Sequence, residues 1–174
     1  GIQSVDTAWS TSDHDGHGTE MAGLLLYYDL KEKLISTEEV CVSHKLESVK
    51  ILPPRGENDP ELYGAVTEQA VALAEIQNPK VNRSICMAVS APEYTEGNGR
   101  PSSWSGTLDS LAAGVDSEDR EKRLILVSAG NVLPNEFNEL AKEVYPEVNE
   151  LHSVENPGQS WNALTIGAYN QDVD

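Results

Sequence analysis

A dense polar segment near the start of the sequence holds residue types that could do chemistry. It reads Asp13-His14-Asp15-Gly16-His17-Gly18-Thr19-Glu20. The segment leads into residues 17–34, which we predict to be a helix because their apolar residues recur three and four positions apart (Met21, Leu24, Leu25 and Tyr28). A histidine between two glycines at the start of a helix can turn its ring into a cleft and serve there as a base.

Two other interpretations of this segment stay open. In a structural interpretation, Asp15 or Thr19 caps the helix and the two glycines form the turn. In a metal-site interpretation, His14, His17 and Glu20 supply the ligands, although their spacing drifts around the helix and no other His or Cys cluster supports them. The two glycines do not form a dinucleotide-binding fingerprint, because no strand precedes them. We therefore expect neither a metal ion nor another cofactor.

A second segment whose residues could bind a ligand or take part in catalysis is Ser128-Ala129-Gly130-Asn131, at the end of the apolar run 124–128. Small residues at the end of a strand allow close approach of a ligand backbone, and the side-chain amide of Asn131 can donate a hydrogen bond into the crevice there. The alternative is an ordinary turn, because Asn and Gly are both frequent turn residues.

Apolar periodicity predicts that helices and strands alternate along the chain. We predict strands at 46–52, 84–90, 124–128 and 163–168, and helices at 17–34, 59–73, 108–115 and 135–146. Gly114 is the predicted stop of the third of these helices. The run 84–90 is apolar on both faces, which indicates a central strand covered on each side. The pattern is typical of an α/β fold, a parallel β-sheet with helices on both faces. We expect residues 1–174 to form a single domain.

The charge of the chain argues against several classes of partner. It has 29 acidic and 12 basic side chains and a net charge of −17, which would repel the phosphates of nucleic acids and anionic lipids. We expect no nucleic acid and no membrane, since no apolar run reaches the roughly 18 residues of a membrane span. Cys41 and Cys86 lie in apolar runs and are predicted to be buried free thiols. Free thiols favour a reducing compartment, and no signal segment opens the sequence, so we expect the protein in the cytoplasm.

The two chemical segments together resemble motifs of a known family. Residues 16–23, Gly-His-Gly-Thr-Glu-Met-Ala-Gly, look like the histidine motif of the subtilisin-like serine peptidases, and Ser128-Ala129-Gly130-Asn131 looks like their oxyanion-asparagine motif. The predicted strands at 49–52, 85–90 and 163–168 are similar to strands of that family in the same order. The resemblance covers nearly the whole chain and implies a partial subtilisin-like three-layer sandwich.

The resemblance implies roles for the residues that match. His17 would be the general base that takes the proton of a nucleophilic serine, and Asn131 would stabilise the oxyanion of the tetrahedral intermediate. Further residues would bind substrate. Ala88, Val89 and Ser90 would offer main-chain groups to an extended peptide, and Ser128, Ala129 and Gly130 would form the wall of a side-chain pocket.

The chain also departs from the family pattern. No Gly-Thr-Ser-x-Ala-x-Pro motif is present, so the nucleophilic serine is missing, and no strand followed by Asp, Ser or Thr and Gly supplies the aspartate. Asp6 is the nearest match, and we interpret it as a loop residue because Ala8 stands where the motif has Gly. We therefore expect this chain to be the central part of a larger peptidase domain, with the aspartate before residue 1 and the serine after residue 174, and to be inactive alone.

Two functions follow as hypotheses. The first is a serine endopeptidase that hydrolyses polypeptide substrates once its domain is complete. The second is a non-catalytic α/β module, a pseudo-protease that binds a peptide or another ligand. Missing elements would leave sheet or helix faces uncovered, so self-association is a further expectation.

Overall fold

A computed structural model of the protein describes residues 1–94, 100–116, 121–132 and 152–168. The chain divides into two compact units. The first unit comprises Gly1–Leu62 and Val66–Val81, and the second comprises Tyr63–Ala65 and the chain from Asn82 onward.

The first unit contains a two-stranded parallel sheet and three helices. Its elements are β1 (Ile2–Ser4), α1 (His17–Tyr27), α2 (Leu30–Ile35), β2 (Ser48–Lys50) and most of α3 (Tyr63–Gln77). In the sheet, Ile2 lies opposite Ser48. The side-chain amide of Gln3 donates to the carbonyl oxygen of Leu73 at 3.2 Å, which connects β1 to α3.

The helix predicted at 17–34 is wrong as one continuous element. Tyr28 has a positive φ of 60°, which ends α1, and the Asp29 carboxylate accepts the backbone N–H of Glu32 at 3.1 Å, which caps a new helix. The periodicity of Met21 to Tyr28 therefore reports α1 alone. No residue of α1 or α2 is buried, although both helices lie wholly within the described part of the chain.

The second unit contains a three-stranded parallel sheet. Its strands are β3 (Ser84–Met87), β4 (Leu124–Ser128) and β5 (Leu164–Ile166), and β4 lies between the other two. The helix α4 (Ser103–Ala113) packs on β4. The apolar core of this unit has Leu108 and Ile125 at its centre, each 1% exposed.

The ends of α4 follow from its sequence. Ser102 and Ser105 form a reciprocal capping box at the first turn, and Gly114 ends the helix with a left-handed φ of 70°. The aromatic ring of Trp104 packs 4.8 Å from that of Tyr63. The predicted stop at Gly114 is confirmed, and it leaves Val115, predicted as the last residue of this helix, beyond its end.

The α/β class with parallel strands is confirmed, and the four predicted strands are present, three of them shorter than expected. The prediction that residues 84–90 form a central strand is wrong for the described residues. There β3 is an edge strand, and only Met87 on it is buried. This position also explains why Cys86 is exposed. Cys41, which lies outside every helix and strand, is exposed too, so neither cysteine is the buried thiol that we predicted. The predicted helix at 135–146 lies outside the described residues.

Candidate active site

His17 is the first residue of α1, in the first unit, and its side chain is exposed. The preceding residue, Gly16, has a φ of 95° and nothing within 4 Å of the position where a Cβ would stand. Its carbonyl oxygen accepts the first helical hydrogen bond, from the N–H of Glu20 at 3.0 Å. The glycine therefore permits a sharp turn that places His17 on the outermost turn of the helix.

The side chain that organises this turn is Asp13. One carboxylate oxygen accepts from the N–H and the hydroxyl of Thr19 at 2.7 and 2.6 Å, and the other accepts from the N–H groups of Asp15 and Gly16 at 3.2 and 3.0 Å. These hydrogen bonds, that of the Thr19 hydroxyl above all, hold the pKa of the Asp13 carboxyl well below its ordinary value. Asp13 thus does the capping that the structural interpretation assigned to Asp15 or Thr19.

The asparagine motif lies in the second unit, at the carboxyl end of β4. The N–H of Ala129 donates to the carbonyl oxygen of Ile166 at 2.9 Å, and the carbonyl oxygen of Ala129 accepts from the N–H of Glu155 at 2.8 Å. Gly130 then takes a φ of 124°. Asn131 follows, and its side chain is exposed. A side-chain amide at this point has two N–H donors available for a ligand.

Residues 88–90 continue from the carboxyl end of β3 and are half-buried. The next residue, Ala91, forms an isolated antiparallel bridge with Asn156, in which the Ala91 N–H donates to the Asn156 carbonyl oxygen at 2.8 Å. The main chain is thereby fixed directly after residues 88–90. Main-chain groups of a segment that continues a strand can pair with an extended peptide.

Two residues that no sequence motif indicates connect these strand ends. The hydroxyl of Ser90 donates a hydrogen bond to the carboxylate of Glu155, and a Cβ on Gly130 would lie 2.5 Å from the carboxyl carbon of Glu155. Asn156 is buried and accepts, through its side-chain oxygen, a hydrogen bond from the hydroxyl of Ser102. Within the second unit, the segments 88–90 and 128–130 therefore have Glu155 as a common neighbour.

The remaining polar candidates have simpler surroundings. Asp6 lies in a bend just after β1, and its carboxylate accepts only the N–H of Ala8, at 2.8 Å, among the described residues. Over residues 1–94, 100–116, 121–132 and 152–168, no group of three or more His, Cys, Asp or Glu side chains is arranged to hold a metal ion. His14, His17 and Glu20, the ligands of the metal-site interpretation, do not form such a group either. No helix within these same ranges is long and apolar enough to cross a membrane.

Comparison with protein-family models supports the resemblance to a known family. The model of the subtilase family matches residues 1–173, which is nearly the whole chain. Searches of curated proteins and of solved structures gave no match. The match agrees with the resemblance carried by the histidine and asparagine motifs, and the parallel α/β architecture is the one that it implies. The chain therefore belongs to the subtilase family of serine peptidases.

Proposed function

We propose that the full-length protein is an endopeptidase that hydrolyses peptide bonds by acyl transfer, with His17 as the general base and Asn131 as the oxyanion donor. His17 takes the proton of the serine hydroxyl as the serine oxygen attacks the peptide carbonyl carbon. It then gives that proton to the leaving amine. Water, activated by the same ring, hydrolyses the acyl-enzyme ester.

The observation that carries this proposal is the backbone at the end of β4. Ala129 is held on both sides, by Ile166 and by Glu155, and the positive φ of Gly130 turns the chain just before Asn131. An oxyanion donor must be fixed in place before the charge develops, because a mobile amide would have to reorganise during the reaction. The doubly anchored strand end fixes the main chain two residues before Asn131 and so supports this role.

Substrate recognition is assigned to the other strand ends of the second unit. Ala88, Val89 and Ser90 pair through their main-chain groups with an extended peptide, and the half-buried residues Ser128–Gly130 line the pocket for the side chain before the scissile bond. The substrates of a peptidase of this family are polypeptides. Self-association of the chain stays a prediction, as do the cytoplasmic location and the absence of a nucleic-acid partner.

The aspartate and the nucleophilic serine that act with His17 are supplied, in this proposal, by parts of the full protein outside residues 1–174. The sequence has neither the serine motif nor the aspartate motif of the family. A chain without its nucleophile cannot form an acyl-enzyme, so we propose that residues 1–174 alone have no peptidase activity and belong to one domain that needs both flanking segments.

The test uses the full-length protein, a fluorogenic peptide and a fluorophosphonate probe that labels activated serines. The unchanged protein is expected to cleave the peptide and to be labelled, and His17→Ala is expected to lower kcat by about 10⁴-fold or more, because the serine loses its base. His14→Ala is the matched control. It removes an exposed histidine three residues away and should leave kcat unchanged.

The pseudo-protease hypothesis predicts a different result. In that case the full-length protein binds peptides without cleaving or being labelled, and His17→Ala leaves the binding unchanged. Labelling of the isolated 174-residue chain would contradict the proposal that its nucleophile lies elsewhere.

A further inference from the structure

The carboxylate of Glu155 lies between the two segments to which substrate binding is assigned. On one side it accepts the hydrogen bond of the Ser90 hydroxyl. On the other side it packs against Gly130, closely enough that any Cβ there would overlap its carboxyl group. Glu155 is half-buried, so the carboxylate is neither sealed in the interior nor freely solvated. An acidic group thus lies between residues 88–90 and residues 128–130.

The backbone holds Glu155 in this place at three points. Its N–H donates to the carbonyl oxygen of Ala129 at 2.8 Å, and its carbonyl oxygen accepts from the N–H of Gly158 at 2.7 Å. The next residue, Asn156, is 4% exposed and is paired with Ala91. A side chain on such a fixed backbone loses little freedom when it binds a ligand, so it can discriminate between ligands effectively.

The carboxylate keeps capacity for a further partner. An ionised carboxylate has about four acceptor positions, and the only described side chain that donates to that of Glu155 is Ser90. No Lys or Arg within the described ranges forms an ion pair with it. A partly desolvated carboxylate with one neutral donor is stabilised further by a cation.

We propose that Glu155 is a specificity-determining residue that selects substrates with Lys or Arg immediately before the scissile bond. The inference rests on the proposed function, because it takes residues 88–90 and 128–130 as the substrate-binding segments. A basic side chain in the pocket pairs with the carboxylate. An apolar side chain leaves the carboxylate partly desolvated without a cation, and an acidic side chain is repelled.

The experiment measures kcat/KM of the full-length protein on four peptides that differ only in the residue before the scissile bond: Arg, Lys, Leu or Glu. The unchanged protein is expected to prefer Arg and Lys over Leu by at least about tenfold, the scale of one charged hydrogen bond, and to cleave the Glu peptide most slowly. Glu155→Gln is expected to reduce the Arg-to-Leu ratio to about 1. The amide is nearly isosteric and its oxygen can still accept from Ser90, so the variant should fold.

Two further variants separate pocket chemistry from the general charge of the protein. Glu155→Lys is expected to reverse the order, so that the Glu peptide becomes better than the Arg peptide. The matched control is Glu121→Gln, which removes an exposed carboxylate near the amino end of β4, the end opposite to Gly130. It changes the net charge by the same amount and should leave the Arg-to-Leu ratio unchanged.

The outcomes distinguish this inference from the function on which it rests. If peptides are cleaved but the Arg-to-Leu ratio is the same in the unchanged protein and in Glu155→Gln, the peptidase function stands and the role of Glu155 is overturned. A fall in melting temperature of Glu155→Gln with an unchanged ratio assigns Glu155 a structural role and overturns the inference as well. If none of the four peptides is cleaved, the proposed function fails and the inference fails with it.

Discussion

The two family motifs of this chain are held in place by different kinds of interaction. The histidine motif is organised by one side chain, Asp13, whose four hydrogen bonds all lie within six residues of it, and no residue of the helix that follows is buried. The asparagine motif is organised by main-chain hydrogen bonds to Ile166 and Glu155, which lie 24 or more positions away along the chain. One motif is local and exposed, and the other depends on tertiary structure.

This difference determines what a substitution can do. A local, exposed arrangement can be weakened at one residue without disturbing a core, because few contacts depend on it. At the end of β4, a methyl group added at Gly130 must displace the Glu155 side chain and its hydrogen bond with Ser90. We therefore expect substitutions in the asparagine motif to affect stability more strongly than those in the histidine motif.

After the loss already expected for His17→Ala, the largest effect is expected for Asn131→Ala in the full-length protein. We expect kcat to fall by about 10²- to 10³-fold with little change in KM, because the donor stabilises the transition state rather than the bound substrate. Steady-state kinetics on a single peptide measures both parameters. Asn82→Ala is the control, since Asn82 is exposed and lies just before the amino end of β3.

A loss in kcat/KM that comes from KM alone would contradict the role of Asn131. An equal loss in Asn82→Ala would show that the effect is not specific to the carboxyl end of the sheet.

The next effect compares two glycines with positive φ. For Gly130→Ala we expect the free energy of unfolding to fall by about 2–3 kcal/mol, because a residue with a Cβ is strained at this φ and the carboxyl end of Glu155 must also move aside. For Gly16→Ala we expect about 1 kcal/mol, because nothing lies within 4 Å of the added methyl and only the backbone term remains. Urea denaturation of the full-length protein measures both values.

A third glycine serves as a reference, because its replacement by Ala is expected to raise the free energy of unfolding rather than lower it. Gly106 lies inside α4 with nothing near its Cβ position, so Gly106→Ala is expected to stabilise by about 0.5–1 kcal/mol. Equal losses at Gly130 and Gly16 would show that crowding by Glu155 does not matter.

The smallest effect is expected for Asp13→Ala. The N–H of Thr19 loses its acceptor, so its hydrogen exchange should become faster, while the melting temperature falls by less than about 2 °C, since α1 buries no residue. Because the pKa of Asp13 is lowered in the folded protein, its contribution is complete above its ordinary value of 3.8. That contribution is lost as the pH falls towards the folded pKa.

The pH dependence of Thr19 exchange, corrected for intrinsic rates, therefore sharpens this prediction. The unchanged protein should protect the Thr19 amide from pH 7 down to about pH 4, and Asp13→Ala should leave it unprotected over that whole range. Asp15→Asn is the control, because the carboxylate of Asp15 accepts none of the hydrogen bonds described at this turn. Protection that persists in Asp13→Ala would show that another group caps the helix.

The sequence predicted best the elements whose signals are local. The strand at 124–128 has the bounds of β4, because a run of apolar and small residues lies there between three charged residues and the turn residues Gly130 and Asn131. The stop at Gly114 was predictable because a left-handed residue ends a helix. The candidate site followed from the histidine and asparagine motifs, which the subtilase match supports as a family assignment.

Other features were not predictable because they arise only from distant contacts. The strand β1 has three residues and exists through its pairing with β2, more than 40 positions away. The place of Glu155 was not predictable because nothing in its local sequence indicates that its side chain contacts Ser90 and Gly130. The break between α1 and α2 did have a local signal, since Asp29 followed by Glu32 is typical of a helix start, and the continuing apolar pattern concealed it.

A single oxygen of Asp109 on α4 accepts three hydrogen bonds of 2.7 Å, from the hydroxyl of Ser160 and from the N–H groups of Trp161 and Asn162. The loop between Glu155 and β5 is thereby bound to α4 as well as to the neighbouring strand ends. A change in the length or path of this loop would break several of these hydrogen bonds at once. If the proposed pocket is correct, a different cleavage preference would be engineered more readily by exchanging the side chain at position 155 than by lengthening or redesigning the loop that carries it.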